Sequence, residues 1–431
     1  MEALNDLPIM LVLAPHPDDE INLAGGIIYG SKVEYDIYVA YVTEGNYLVS
    51  SEIRHREAEA ALSVLGVKNE NIIYLGFKDC SYDAEEHTYH LEGSAVTGSI
   101  YELLKRISAD VIICSDLDYH PDHIMCSLCF ERALGKLLKE RPDYSPEVLK
   151  TFAYENSYNG PGDFFEGNKP EFRVNSDGLL ISNPYYRLTD AVFYGNTREC
   201  NSYHLGKNPL WRAVLCHKSQ VLAEKAKRII NSGYMLWARR TDSLLRNANI
   251  TVSSGDAGFL NDFMLCDSGN ILGGHISPVV FDKGFWTPSR DDAKREITVS
   301  LEETADSPVL RIYPAMVTGH QDEGEITVVY GGREEDTRLA LPYTDIALDG
   351  EVKQFSIIAG NSITGISEIE LFKDEQPQEP VFAGKADAAD IPGRAPLFLK
   401  VMDNIVITAH EIAQKANRKI RQKNQKSVII S

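Results

Sequence analysis

Ile9-Met10-Leu11-Val12-Leu13-Ala14-Pro15-His16-Pro17-Asp18-Asp19-Glu20 joins an apolar run directly to a cluster of ionisable side chains. Six consecutive apolar residues bounded by proline read as a strand buried on both faces, as strands are in a parallel sheet covered by helices. The strand runs straight into a histidine and three carboxylates, and Asp19–Tyr29 then has helical character. Working outward, the alternation repeats. Val33–Thr43 is β-branched and aromatic. Glu52–Gly66 has helical spacing and ends on a glycine, a usual helix stop. Asn71–Leu75, Asp110–Cys114 and Val148–Ala153 read as further strands, and Ser99–Ser108 and Asp122–Leu138 as helices. This pattern predicts a doubly wound, Rossmann-like α/β fold.

Beyond residue 155 the pattern changes. Asn156–Asn183 is rich in Gly, Asn, Pro and Asp, carries Tyr158, Phe164 and Phe165, and reads as a long ordered loop or lid. Pro209–Ile230 reads as an amphipathic helix, with Tyr234–Leu245 continuing the helical ending. From about residue 249, short β-like runs separated by turn residues (250–252, 297–301, 309–313, 326–330, 354–358 and 366–371) predict an all-β sandwich. The domain plan is therefore 1–248 for the α/β part, 249–375 for the sandwich, and 376–431 for a proline-bearing linker and a helical C-terminal tail. From Glu411 onward that tail has six basic residues and one acid.

The 431 residues carry 43 Lys and Arg against 63 Asp and Glu, a net charge of −20, which argues against nucleic acid as the main partner. No apolar run reaches the roughly 18 residues a membrane-crossing helix needs. Glu2 and Asp6 stand where a secretion signal would carry basic residues. Seven cysteines give no disulfide framework, and the expectation is a cytoplasmic protein.

The second chemical cluster is His120-Pro121-Asp122-His123, a short loop after the Asp110–Cys114 strand. In a sheet of order 3-2-1-4-5 this strand and the first are neighbours at the switch point, where ligands bind beyond the strand ends. The two clusters, about 100 residues apart, therefore converge. His16, Asp19 and His123 can supply the three protein ligands of a catalytic zinc with one position open to water. Asp18 and His120 then remain unligated for proton transfer, and Asp122 can orient the His120 imidazole.

Leu13–Glu20 together with His120–His123 resembles the paired signatures of the PIG-L/LmbE-like family of zinc-dependent N-acetyl-sugar deacetylases. Val42–Gly45, Arg54-His55-Arg56-Glu57 and His217-Lys218-Ser219-Gln220 are similar to further segments of that family. The resemblance, over about residues 7–235, implies a Zn2+ held by His16, Asp19 and His123. It implies Asp18 as general base, His120 with Asp122 as the group that stabilises the intermediate or protonates the leaving amine, and Arg54 as a substrate- and oxyanion-side residue. The chain departs from the family at Asn46, where a Glu is common, and in Ser115–Tyr119. Val279–Trp286 and Gly365–Phe372 resemble segments of discoidin-like (F5/8 type C) sandwiches, which implies a glycan-binding role, with a packing or dimerisation role as the alternative.

Plainer readings stand beside these. Glu20 reads as a first-turn helix charge, and Arg54 and Glu57 as a helix ion pair. Cys126 and Cys129 read as buried core thiols. The basic tail reads as a solvated end, with contact to a membrane surface or a partner as the alternative. The expectation is a zinc hydrolase that deacetylates an N-acetylamino sugar, with a homo-oligomer allowed. The alternatives are an amidase for a non-sugar amide and an idle carbohydrate-binding scaffold.

Overall fold

A computed structural model describes residues 7–80, 82, 83, 88, 89, 93–118, 120–153, 183, 185–187, 190–201, 204–220, 233–267, 271, 272, 284–317, 320, 321, 323–373 and 397–429. The expected lid over 156–182 and the linker over 376–396 lie outside the described residues.

The first half is a sheet wrapped by helices on both faces. Its strands are β1 (Ile9–Ala14), β2 (Asp36–Thr43), β3 (Ile72–Phe77), β4 (Val111–Ser115), β5 (Glu147–Thr151), β6 (Val192–Gly195) and β7 (Gly233–Arg239). Their spatial order is β3-β2-β1-β4-β5-β7-β6. The first five are parallel, and β7 and β6 add antiparallel at one edge. The helices are α1 (Asp19–Ser31), α2 (Ser51–Leu65), α3 (Gly93–Ile107), α4 (Pro121–Glu140) and α5 (Pro209–Val214).

The period-2 geometry of a strand divides its residues between two cores. Met10, Val12 and Ala14 of β1 pack with α1, α2 and α5, while Leu11 and Leu13 pack with α3 and α4. Both sides are apolar because both sides are covered. Gly66 ends α2 in the left-handed conformation, φ 96°, with its N–H on the Leu62 and Ser63 carbonyls.

Two expectations are corrected. Tyr234–Leu245 does not continue a helix: Gly233–Arg239 is a strand whose Val148↔Arg239 and Lys150↔Trp237 pairs add it to the sheet. Tyr234, Met235, Leu236 and Trp237 are all buried, so the run reads as a two-sided buried strand, not an amphipathic helix. The helix expected over Pro209–Ile230 is interrupted after Val214, where residues 215–220 form turns; residues 221–230 of that expectation lie outside the described residues.

The second half is an antiparallel sandwich. Its strands are β8 (Asn249–Val252), β9 (Glu296–Asp306), β10 (Val309–Pro314), β11 (Gly324–Tyr330), β12 (Arg333–Leu339), β13 (Thr344–Ala347), β14 (Glu351–Ala359) and β15 (Ile366–Phe372). One sheet runs β8-β9-β14-β11-β12 and the other β13-β10-β15. Ile297, Val299, Val328 and Ile357 from the first meet Leu310, Ile312, Ile369 and Leu371 from the second. Trp286 is buried with them, exchanging backbone hydrogen bonds with Ile366. β12 and β13 escaped the sequence reading because Arg333–Leu339 is mostly charged and Thr344–Ala347 is short.

The two halves are packed against each other. Phe263 sits in the core of α3 and α4. A Cβ on Gly135 of α4 would fall 2.1 Å from the Asp262 carbonyl, so only glycine permits that approach. Arg239 of β7 pairs with Glu370 of β15, and the Tyr185 hydroxyl donates to the Pro314 carbonyl at 2.9 Å.

Beside them lies an acidic pair. Burial pushes Asp262 up to about 7, and burial followed by the charges of Asp262 and Glu370 pushes Glu368 well above its ordinary value. The folded chain therefore keeps a proton that the unfolded chain releases near pH 4. Protons bound in excess by the folded state stabilise it at low pH, and that contribution is lost as pH rises from about 4 through about 7. Glu368→Gln removes one member of the pair and is expected to flatten this part of the profile. Melting curves of parent and variant between those pH values check it, and parallel profiles would show that the pair does not titrate as described.

Candidate active site

β1 and β4 are hydrogen-bonded neighbours, paired from Met10↔Val111 to Leu13↔Cys114. Each delivers its chain into the start of a helix, so the His16 and His120 clusters meet beyond the same edge of the sheet. After β1 the chain turns tightly. The Asp18 and Asp19 amides both donate to the His16 carbonyl, at 3.0 and 3.1 Å. Asp18 takes φ 150°, ψ −20°, a backbone region costly for a side-chain-bearing residue and typical of functional sites. After β4, His120 is the N-cap of α4 and Pro121 fits the first turn, where its missing N–H costs nothing. Asp19 and Asp122 lie in first helical turns, where the helix dipole favours negative charge.

The side chains converge. Asp19 Oδ2 lies 2.9 Å from His16 Nδ1 and 3.1 Å from His123 Nε2. His16 Nε2 is 3.0 Å from Asp122 Oδ2. The three imidazole centroids are 4.7 to 5.2 Å apart. The structure thus brings together His16, Asp19 and His123, and it adds further donors. Ring nitrogens of His16, His120 and His123 lie within 4.8 Å of one another, as do donor atoms of His16, Asp79 and Asp122.

Asp122 sits nearer His16 than His120, whose Nδ1 is 3.7 Å from the carboxylate. The orienting contact to His120 is instead the Asp122 backbone N–H, donating to Nδ1 at 3.3 Å. With Nδ1 accepting, the ring proton of neutral His120 belongs on Nε2, a tautomer inferred from the hydrogen bond.

Exposure separates two kinds of residue. The side chains of His123 and Asp19 are 0% and 2% exposed, while those of Asp18 and His120 keep 15% and 24%. Solvent reaches the two residues assigned to proton handling and not the two sealed donors.

The charges fit a cation. Burial opposes charge on His16, yet hydrogen bonds to Asp122 and Asp19 raise its pKa well above the usual histidine value. Burial likewise opposes charge on His123, but Asp118 and Asp19 lift it to about 9. Burial, followed by the charges of His123 and His16, holds His120 well below the usual value. Asp122 lies well below the carboxylate range, burial being outweighed by the His16 hydrogen bond and charge. The buried carboxylates therefore gather positive charge, and imidazole and carboxylate donors at this separation suit a divalent metal.

Arg54 clamps the turn. It donates from Nε and Nη2 to the Pro17 carbonyl, from Nη1 to the Gly45 carbonyl at 2.9 Å, and from Nη2 to Asp18 Oδ1 at 2.7 Å. It does not pair with Glu57, which accepts instead from the Ser219 N–H and hydroxyl. Glu20 stands in the first turn of α1, as expected, but it does not face solvent. It is fully buried, its Oε1 lying 2.7 Å from Nε2 of the equally buried His217. The late His217–Gln220 segment thus braces α1 and α2 from behind the site. Cys126 and Cys129 are buried inside α4, as expected of core thiols.

The sequence reading missed Asp118. Its Oδ2 lies 2.6 Å from His123 Nδ1, its Oδ1 accepts from the His120 N–H at 2.8 Å, and it is buried. This carboxylate–imidazole contact turns His123 Nε2 toward Asp19, the way carboxylates orient metal-binding histidines. The only signal was its place in the acidic Asp116-Leu117-Asp118 loop, where nothing distinguishes an orienting carboxylate from a turn residue. Asp79, whose Oδ2 accepts from the Tyr47 N–H at 3.0 Å, was also missed.

Fold and site together define an α/β protein with a buried His/Asp centre, compatible with a metal, at the switch point of its sheet. Residues 11–134 match the model of the family described as PIG-L: GlcNAc-PI de-N-acetylase, so this stretch is a PIG-L domain. Among solved structures the chain is similar to N,N'-diacetylchitobiose deacetylase from Pyrococcus horikoshii, at 20% identity over 36% of this chain and TM-score 0.27. It spans 63% of that protein's length. It is similar to the zinc-inhibited form of teicoplanin deacetylase Orf2, at 16% identity, 54% of this chain, 99% of the other and TM-score 0.32. It is also similar to a fucose binding module from Streptococcus pneumoniae, at 16% identity, 31% of this chain, 98% of the other and TM-score 0.24.

Proposed function

We propose that the chain is a metal-dependent hydrolase, zinc being the expected metal, that removes the acetyl group of an N-acetylamino sugar as acetate. The observation that carries this reading is the meeting of His16, Asp19 and His123 beside an accessible Asp18 and His120, within the stretch that matches the PIG-L family. His16, Asp19 and His123 would hold the metal. A divalent cation there supplies an electrophile for the amide carbonyl and acidifies a water.

The chain's own residues do the rest. Asp18, held by Arg54, takes the proton of the attacking water as its oxygen adds to the acetamide carbon. His120 donates from Nε2 to the oxyanion that develops. The C–N bond then breaks, and Asp18 returns the proton to the leaving amine, giving acetate and a free amino sugar. In this reading residues 1–248 carry the chemistry, and the sandwich at 249–375 helps hold a larger glycan.

Acetate release from a panel of N-acetylamino sugars and non-sugar amides, before and after chelation, tests the proposal. Turnover of the sugars that stops with chelator and returns with metal supports it. Turnover of only the non-sugar amides would replace the substrate class, and no turnover of any amide with metal bound would leave a binding scaffold.

The Asp118–His123 contact carries its own expected result. Asp118→Asn keeps the size of the side chain and removes its charge. Metal affinity is expected to fall by about 10–100-fold, the usual cost of losing an orienting carboxylate. Competition against a chromophoric chelator measures it, and an unchanged affinity would show that Asp118 does not orient a ligand.

A further inference from the structure

The C-terminal helix α6 (Leu397–Ile429) has two apolar faces, and the fold uses one of them. Ile407 is buried in the core of α1, α2 and α5, the His410 ring meets Trp211 edge-on with centroids 5.4 Å apart, and Gln414 is buried. At 3.6 residues per turn, Met402, Ile405, Ile412 and Ile420 fall on the opposite side. They are 43%, 56%, 64% and 59% exposed, with Val406 at 38% and Ala409, Ala413 and Ala416 also exposed. A helix end that merely meets water would place polar residues outward. This stripe covers more than four turns.

Charge decides what would cover it. From Glu411 to the end the chain has Lys415, Arg418, Lys419, Arg421, Lys423 and Lys426 against one acid, in a protein of net charge −20. A second copy paired in parallel along the stripe would set these six cations beside six more. An anionic surface would neutralise them. An apolar helix face joined to a basic cluster is the composition of helices that lie in the membrane interface. No helix among the described residues is long and apolar enough to cross a membrane, so α6 would lie on the surface and not span it.

We propose that α6 docks the protein onto an anionic lipid surface. Met402, Ile405, Ile412 and Ile420 enter the boundary between headgroups and acyl chains, and the basic run supplies the attraction to anionic headgroups. The inference stands on the helix alone and is independent of the reaction at β1 and β4.

The test is flotation of the full-length protein with vesicles of phosphatidylcholine, and of phosphatidylcholine mixed with phosphatidylglycerol. Binding is expected only to the mixed vesicles, with release at about 1 M salt, where the Debye length is about 3 Å. The pair Ile405→Glu and Ile412→Glu, and separately the pair Arg418→Glu and Lys419→Glu, should each lower the bound fraction about tenfold or more. All four side chains are exposed, so the melting curve should be unchanged. No binding to the mixed vesicles, or binding that survives both pairs of substitutions, would overturn the proposal. If the protein ignores vesicles but sedimentation shows a dimer that Ile412→Glu dissociates, the stripe belongs to a second copy and the lipid proposal fails.

Discussion

Asp18→Asn is expected to leave metal content and the melting curve near those of the parent while lowering kcat by at least about a hundredfold. The substitution preserves shape, and the amide oxygen can still accept from Arg54 Nη2, which reaches Asp18 Oδ1 at 2.7 Å. The tight turn after β1 is held by the Asp18 and Asp19 backbone and by the Pro17 carbonyl, none of which the substitution alters. What is lost is the basicity of the carboxylate proposed to take a proton from water, and positioned general bases contribute about 10²–10⁴-fold. Metal analysis, a thermal melt and kcat on the best acetylated sugar form the check. A metal-loaded Asp18→Asn protein with near-parental kcat would move the base elsewhere, with His120 next in line.

His123→Ala is expected to be more severe, removing bound metal and activity together. The imidazole is completely buried between two carboxylates, Asp118 at 2.6 Å and Asp19 at 3.1 Å. Its removal takes one donor from the proposed set of His16, Asp19 and His123 and leaves Asp118 buried without its histidine. Breaking a buried pair in this way costs about 3–5 kcal/mol, so the variant should also melt earlier. The graded pair of His123→Ala and Asp118→Asn separates the two effects, because only the first deletes a donor. Elemental analysis finding a full equivalent of metal in folded His123→Ala would remove His123 from the ligand set.

Much of this was legible in the chain. Ile9–Ala14 and the Val111–Cys114 run of the Asp110–Cys114 strand are so apolar that they read as two-sided buried strands, and the His/Asp clusters that follow them could only meet at one edge of the sheet. Gly233–Arg239 was misread because a short apolar run has no period of its own, and burial on both faces suits a strand as well as a helix. Arg333–Leu339 was not read as a strand because an edge strand of a sandwich needs few apolar residues.

The sequence alone determined the two-part architecture, the place of the site, and the residue types that meet there, because covalent order puts each cluster immediately after its strand. Folding in three dimensions set which partner each of them finds. It joined Asp118 of the loop to His123 of α4 across five positions and Glu20 to His217 across 197 positions of chain, and it turned Arg54 from its helix neighbour Glu57 toward Asp18. It also decided which face of α6 the fold covers and which it leaves to solvent. Apolar residues can stand on both faces of a helix, but burial is a property of what packs against them, and a linear sequence does not contain that neighbour.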